Sequence, residues 1–255
     1  ASRGLGDVYK RQALDSSGLV ASVALLENDN LVAEFTVNNK KTHSQTLLPM
    51  LDEVVNAAGI ELDAVDAIAI AAGPGSFTGL RIGAATVKGL SLALDKPVVP
   101  VPTLEGLAYN FWGSDRLICP IMDARRNQVY TGLYRFDEAG NLVTEMDQIP
   151  MDVNELIDLL LEKDEEVQFT GDGIQVYGSQ ILSKMKHARL APAHLNKQKA
   201  GSVAYAGAYR YAHEQYINGD DFAPEYLRMS QAERERKETV SYTHLRAHET
   251  LMNLV

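Results

Sequence analysis

At 255 residues, 45% of them hydrophobic, the chain is long enough to bury one large core or two modest ones. Its net charge of −10, from 34 acidic and 24 basic side chains, argues against nucleic-acid binding by this chain alone, because phosphate contacts need a basic face. A single cysteine, Cys119, excludes an internal disulfide framework, and no apolar run approaches the roughly 18 residues of a membrane span. With no apolar signal-peptide core near the start, the expectation is a cytoplasmic protein with no membrane contact.

The two ends read differently from the rest. ASRGLGDVYKRQ (1–12) and the stretch from Val240 to Val255 resemble translated sequencing-adapter read-through and are set aside from the fold argument. His244 and His248 in the second stretch have the H-x-x-x-H spacing that puts two metal ligands on one helix face, and they are set aside with it.

Between those ends, Ala13-Leu14-Asp15 begins a hairpin that passes through Ala21–Leu26 and closes with Asn30-Leu31-Val32. Ser44–Ala58 follows as an amphipathic helix with Leu47, Leu51, Val54, Val55 and Ala58 on one face. Pro49 lies in its first turns, where a missing N–H does least harm. Asp66–Ala71 reads as a short buried strand and leads into AAGPGSFTGLR (71–81) and a helix over Thr78–Leu94 carrying Gly79, Gly83 and Gly89. Each helical glycine costs about 1 kcal/mol relative to Ala, so close packing of another helix on this face is the expected compensation. Gly-rich turns before helices also bind anions, but the Gly-Lys-Ser/Thr of a P-loop is missing. Gly73, Gly75 and Gly79 are spaced one residue too long for a dinucleotide fingerprint, so the tight-turn reading is favoured over phosphate contact.

The second half repeats the first. After the strand Val98–Val101 and a division near Pro102–Gly113, Ile121-Met122-Asp123 begins another hairpin through Val129–Tyr134 to Asn141-Leu142-Val143. In both hairpins an Asp ends the apolar strand and the return strand starts six residues later. Asp152 and Glu155 form a capping-box pattern for a helix ending near Lys163, and Val167–Thr170 is a strand closed by Gly171-Asp172-Gly173. A late helix is expected over 203–218, with Ser202 as N-cap and Gly219 beyond its end. Alternating strands and helices after each hairpin give an α/β architecture with a largely parallel sheet.

Several segments together resemble the TsaB (YeaZ-type) family, non-catalytic homologues of TsaD-type threonylcarbamoyl transferases. They are ALDSS at Ala13, HSQTLLPMLDEV at His43, AAGPGSFTGLRIG at Ala71, PVPTLEGLA at Pro100, MDARRNQVY at Met122, FTGDG at Phe169 and PEYLR at Pro224. The resemblance implies a duplicated actin-like/hexokinase-like (ASKHA) fold, with an N-terminal subdomain over 13–105 and a C-terminal one over 106–239. The late helix is expected to pack back on the first half. It further implies a role in making threonylcarbamoyladenosine, next to the anticodon of tRNA, as partner of a TsaD-type subunit with a TsaE-type ATPase joining. ATP or ADP and metal are expected on the partner or at the shared interface, none on this chain alone, and tRNA is held by other subunits. Pairing of two copies through the same helices is expected when the partner is absent.

The catalytic relatives carry H-M-E-G-H after the third strand, with two metal-holding histidines; here Thr103-Leu104-Glu105-Gly106-Leu107 stands at that place, and threonine and leucine are no transition-metal ligands. No metal ligand and no catalytic residue is therefore assigned. His187, His194 and His213 are read as surface or capping residues, and His43 also as an interface residue. The partner-binding face is expected to comprise His43, Leu47, Leu51, Val54, Gly75, Phe77, Gly79, Arg81, Gly83 and Val87. Asp15, Ser16, Asp123, Gly171, Asp172 and Gly173 form a vestigial nucleotide site, in which Asp15 and Asp123 either cap their own turns or position a nucleotide-bound metal. Arg125-Arg126 is read as a solvated turn. The alternative of another class is an autonomous ATPase or metallopeptidase of the same fold, dependent on Asp15.

Overall fold

The structure, a computed structural model, describes residues 10–39 and 41–228. His244, His248 and the rest of the C-terminal stretch lie outside the described residues.

The first hairpin consists of β1 (Lys10–Asp15), β2 (Ala21–Glu27) and β3 (Asn30–Val37), paired antiparallel. Helix α1 (His43–Ala58) leads to β4 (Ala67–Gly73), then α2 (Phe77–Leu94) to β5 (Val98–Pro102); β4 lies parallel to both β1 and β5. Short α3 (Thr103–Ala108) crosses to the second lobe, where β6 (Leu117–Asp123), β7 (Gln128–Phe136) and β8 (Leu142–Asp152) form the second hairpin. Then come α4 (Val153–Lys163), β9 (Val167–Thr170), α5 (Ile174–Lys184), β10 (Ala188–Leu190) and α6 (Ala200–Ala212). The sheet orders, β3-β2-β1-β4-β5 and β8-β7-β6-β9-β10, are the same topology twice. This is the duplicated actin-like/hexokinase-like α/β fold.

Side-chain alternation explains how each sheet takes helices on both faces. On β4, Ile68, Ile70 and Ala72 join the core under α1 and α2, whereas Ala67, Ala69 and Ala71 face α6. The alanine face lets α6 sit close, with Gly207 directly over Ala69. The last helix of each half packs on the other half: α3 supplies Leu104, Leu107 and Ala108 to a core with Ile118, Met122 and Tyr134, and α6 covers the first sheet. The two crossing helices are tied by the ion pair Arg210–Glu105, 2.6 Å. The division expected at 105/106 thus falls inside α3.

One expectation is corrected. The late helix spans Ala200–Ala212, not 203–218. Its first amides are capped from the first lobe, Ala200 N donating to Ser22 Oγ and Gly201 N to Glu34 Oε1, while the expected cap Ser202 donates instead to Asn110 Oδ1. Beyond His213 the chain turns at Glu214 (φ +60°), and Ile217 pairs with Val98 as an extra edge on β5. Lys10-Arg11-Gln12 form the first half of β1, in the centre of the sheet. Arg11 reaches over the Tyr211 ring at 5.4 Å. Gln12 is 1% exposed, and neither carboxamide atom has a hydrogen-bond partner.

Candidate functional site: interlobe cleft and helix face

The β1–β2 turn is organised by Asp15, whose carboxylate accepts from Ser17 N (2.9 Å) and Ser17 Oγ (2.7 Å). Burial pushes its pKa up to about 6, against the opposing pull of the Ser17 bonds and of His43. Both α1 and α2 dock on this turn. Ser76 N donates to Ser17 O (2.7 Å), Ser16 Oγ to Gly79 O (2.9 Å), and His43 Nε2, at the start of α1, to Gly18 O (3.0 Å). A Cβ on Gly75, Gly79 or Gly83 would lie inside contact distance of Ser17 O, Ser16 O or Ser16 Oγ respectively. These three glycines therefore serve a close approach within the chain. Asp15 caps this turn through its Oδ1, which takes both Ser17 bonds.

The equivalent turn of the second lobe is more open. Asp123 is exposed; its Oδ1 accepts from Arg125 N and Tyr177 Oη, and its own N–H donates to Asp172 Oδ1. Burial raises the Asp172 carboxyl, opposed by the Asp123 N–H and the charge of Lys197. Gly171 (φ +96°) and Gly173 press on Ile121 O, which brings the Gly-Asp-Gly turn under Asp123. Between the lobes lies a cleft of about 740 Å³, walled by Ser17, Gly18, His43, Gly75 and Phe77 on one side and by Asp123, Arg125, Asp172 and Gln175 on the other. Of the six residues expected to form a nucleotide site, Asp123 and Asp172 line this cleft, whereas Asp15 and Ser16 sit beneath its wall.

A feature absent from the sequence reading closes one end. After Phe222, buried in the first core, the chain runs extended across both lobes. Glu225 N donates to Ala72 O, Gln148 Nε2 bridges Gly73 O and Glu225 Oε2, and Arg228 Nη1 donates to Ala124 O (2.7 Å). Tyr226 packs on Phe77 (4.8 Å between ring centroids), and the Arg81 guanidinium lies over the same Phe77 ring at 4.2 Å. The PEYLR segment was the available signal, but only tertiary structure reveals what it straps together.

The residues at the place of the relatives' metal motif are engaged otherwise. Thr103 Oγ1 accepts from Gly73 N, Leu107 lies in the core, and Glu105 holds Arg210. That set does not fit a transition metal. Among the described residues no group of three or more His, Cys, Asp or Glu side chains could hold a metal ion. His213 Nδ1 bonds Tyr209 O.

The expected helix face divides by burial. Leu47, Leu51, Val54 and Val87 point into the first core, and Gly79 and Gly83 into the β1–β2 turn. His43, Gly75 and Phe77 are partly exposed and Arg81 is exposed. The outward side of α1 and α2 instead presents Leu48 (55% exposed), Arg81, Ala85, Gly89 and Leu92 (79% exposed). A Cβ on Gly89 would meet nothing within 4 Å.

Two like-ordered sheets that exchange their last helices, with a cleft between them, define a duplicated protein of the actin-like/hexokinase-like class. Solved structures agree. YeaZ from Pseudomonas aeruginosa is 27% identical with a TM-score of 0.70, covering 86% of this chain and 100% of that one. A second solved structure, an uncharacterized protein with similarity to peptidase YEAZ from the same organism, is 28% identical with a TM-score of 0.73. The family model described as TsaD, tRNA N6-adenosine threonylcarbamoyltransferase, matches residues 30–236. The tRNA threonylcarbamoyladenosine biosynthesis protein TsaB of Bacillus subtilis is 33% identical over 226 residues, covering 87% of this chain and 95% of that protein. Its Escherichia coli namesake is 37% identical over 131 residues, 50% of this chain and 56% of that protein. The chain belongs to the TsaB family. Among the described residues, no helix is long and apolar enough to cross a membrane.

Proposed function

We propose that this protein is a scaffold subunit in the biosynthesis of threonylcarbamoyladenosine in tRNA. It pairs one-to-one with a TsaD-type catalytic subunit through the outward side of α1 and α2, and a TsaE-type ATPase joins the pair. The observation that carries the reading is Gly89. A glycine in the exposed middle of an 18-residue helix costs about 1 kcal/mol relative to Ala, and no neighbour within this chain requires it. With Ala85 and Leu92 on the same side of α2, and Leu48 exposed on α1, it leaves a shallow apolar strip suited to a helix of another chain. His43, Phe77 and Arg81 border the strip, while Leu47, Leu51, Val54 and Val87 brace it from the core. A stable interface of this kind buries roughly 1,600 Å² in total. The partner supplies acyl transfer chemistry, with ATP or ADP and metal held there or at the shared interface. Two copies of this chain are expected to pair through the same strip when the partner is absent. An autonomous ATPase or metallopeptidase would depend on Asp15, whose Oδ1 caps its own turn.

The test mixes the full chain with a TsaD-type protein and reads mass by size-exclusion with light scattering. The wild type should give a one-to-one complex, and Gly89→Leu and Leu48→Glu should each weaken it at least tenfold without lowering the monomer's melting. Wild-type affinity in both variants would refute the surface. A folded chain that forms no complex would refute the scaffold reading itself.

A further inference from the structure

Helix α2 (Phe77–Leu94) holds two cationic side chains, Arg81 and Lys88, and no acidic one. Lys88 Nζ donates to Asp220 O (3.1 Å). Elsewhere in this acidic chain guanidinium groups find carboxylates readily: Arg116 and Arg189 pair with Glu166, Arg135 with Glu145 and Glu165, and Arg210 with Glu105. Arg81 is exposed and has no carboxylate partner among the described residues. Its guanidinium is nonetheless held in place over the Phe77 ring, one turn earlier on the same helix, at 4.2 Å. Residues four apart meet on a helix face, and a guanidinium stacked on a ring gives up rotamer freedom before any partner arrives.

The same period places Arg81 in line with Ala85, Gly89 and Leu92, all of them exposed. A helix laid on that strip therefore covers Arg81 and takes water from a permanent charge. A covered guanidinium without an acceptor is costly, so whatever covers it must bring one. Its planar fork matches a carboxylate through two parallel N–H···O bonds.

We propose that Arg81 is the ionic anchor of the partner-binding face, meeting one Asp or Glu carboxylate of the TsaD-type subunit, and that Phe77 is its positioning residue. The inference rests on the scaffold reading and adds the chemistry that the partner must present. A strip of Ala, Gly and Leu supplies contact area but fits a helix in more than one register. A single pre-aimed charge beside it selects one register and rejects partners that lack the acid.

The experiment measures the affinity of the full chain for a TsaD-type protein in nucleotide-free buffer, at about 50 and about 500 mM NaCl. Arg81→Ala should weaken the complex at least about thirtyfold at low salt, leave the monomer's melting unchanged, and remove most of the salt dependence that wild type shows. Arg81→Lys keeps the charge but loses the fork, and should weaken the complex about tenfold. Phe77→Leu should weaken it about fivefold in the wild-type background and not at all in the Arg81→Ala background, because the ring acts through the guanidinium. An equal loss in both backgrounds would overturn the positioning role. Replacing each Asp and Glu of the partner's helices by Lys, one at a time, should yield one variant that weakens wild type and restores binding to Arg81→Glu. Gly89→Leu and Leu48→Glu separate the two readings. If they weaken the complex but Arg81→Ala does not, or if no partner lysine restores Arg81→Glu, the anchor is overturned and the strip stands. If they leave the affinity unchanged, or if no complex forms, the strip falls and the anchor falls with it.

Discussion

Replacing Asp15 by asparagine separates a turn cap from a catalytic carboxylate. The group is 2% exposed and accepts two bonds from Ser17, and burial pushes its pKa up from 3.8 to about 6. Keeping it ionised in the fold therefore costs about 3 kcal/mol, from about two pKa units at about 1.4 kcal/mol each. Because the folded pKa is the raised one, the folded state holds the extra proton between about pH 4 and pH 6. Stability from this group is present at the low end of that window, is lost as pH rises through it, and is level above. The asparagine side chain keeps an acceptor for Ser17 N and Oγ but carries no charge, so the variant has no such dependence. Urea unfolding of wild type and Asp15→Asn from pH 4 to pH 8 should show their stability difference moving in the variant's favour by up to about 3 kcal/mol, all of it below about pH 6.5. The difference cancels every other titrating group. A constant difference across the range would refute the burial argument, and an asparagine variant much less stable at pH 7 would show that the turn needs the charge itself.

Two glycines of α2 should respond with opposite signs: Gly79→Ala forces a Cβ onto Ser16 O and should destabilise by about 1–3 kcal/mol, whereas Gly89→Ala, with open space around it, should stabilise by about 1 kcal/mol, both read by denaturant midpoints. Gln12→Leu keeps the side-chain volume while removing an unpartnered buried amide, and should raise stability by about 2 kcal/mol and the melting temperature by about 5 °C. Unchanged melting would mean that buried water already satisfies Gln12. Tyr226→Ala removes the ring contact with Phe77 and should cost about 1 kcal/mol; limited proteolysis should then cut near Pro224 faster than in wild type.

The repeat was legible because each Asp-ended hairpin keeps its strand alternation, and both sheets follow from it. Helices α2 and α4 were legible for local reasons, since Ser76 and Asp152 cap amides two or three residues ahead. The late helix was misplaced because its caps, Ser22 and Glu34, come from the other lobe, which no local pattern encodes. The glycine stripe of α2 looked uniform in one dimension, yet Gly79 and Gly83 face the β1–β2 turn and Gly89 faces outward. Helical period alone could not say which side the chain would keep for itself.

The duplication also explains how the two halves divide their tasks. Each begins with an aspartate at the end of its first strand, but the surroundings have parted. In the first half the turn is buried, with Asp15 Oδ1 accepting from Ser17 and the turn carbonyls taken by Ser76 N and His43, so it has become a mount that fixes where α1 and α2 begin. In the second half Asp123 stays exposed, and the turn after it spends its backbone conformations on presenting Arg125 and Arg126. A glycine-to-Cβ clash at Gly79 would therefore disturb the helix face through its mount, while changes at Arg125 would leave that face untouched. The strap from Glu225 to Arg228 bonds to Ala72 in one lobe and Ala124 in the other, and stacks on Phe77 at the start of α2. It bridges the two lobes beside the start of α2. Loosening it with Tyr226→Ala should thus change partner affinity only if the lobes must hold one relative position to present the face.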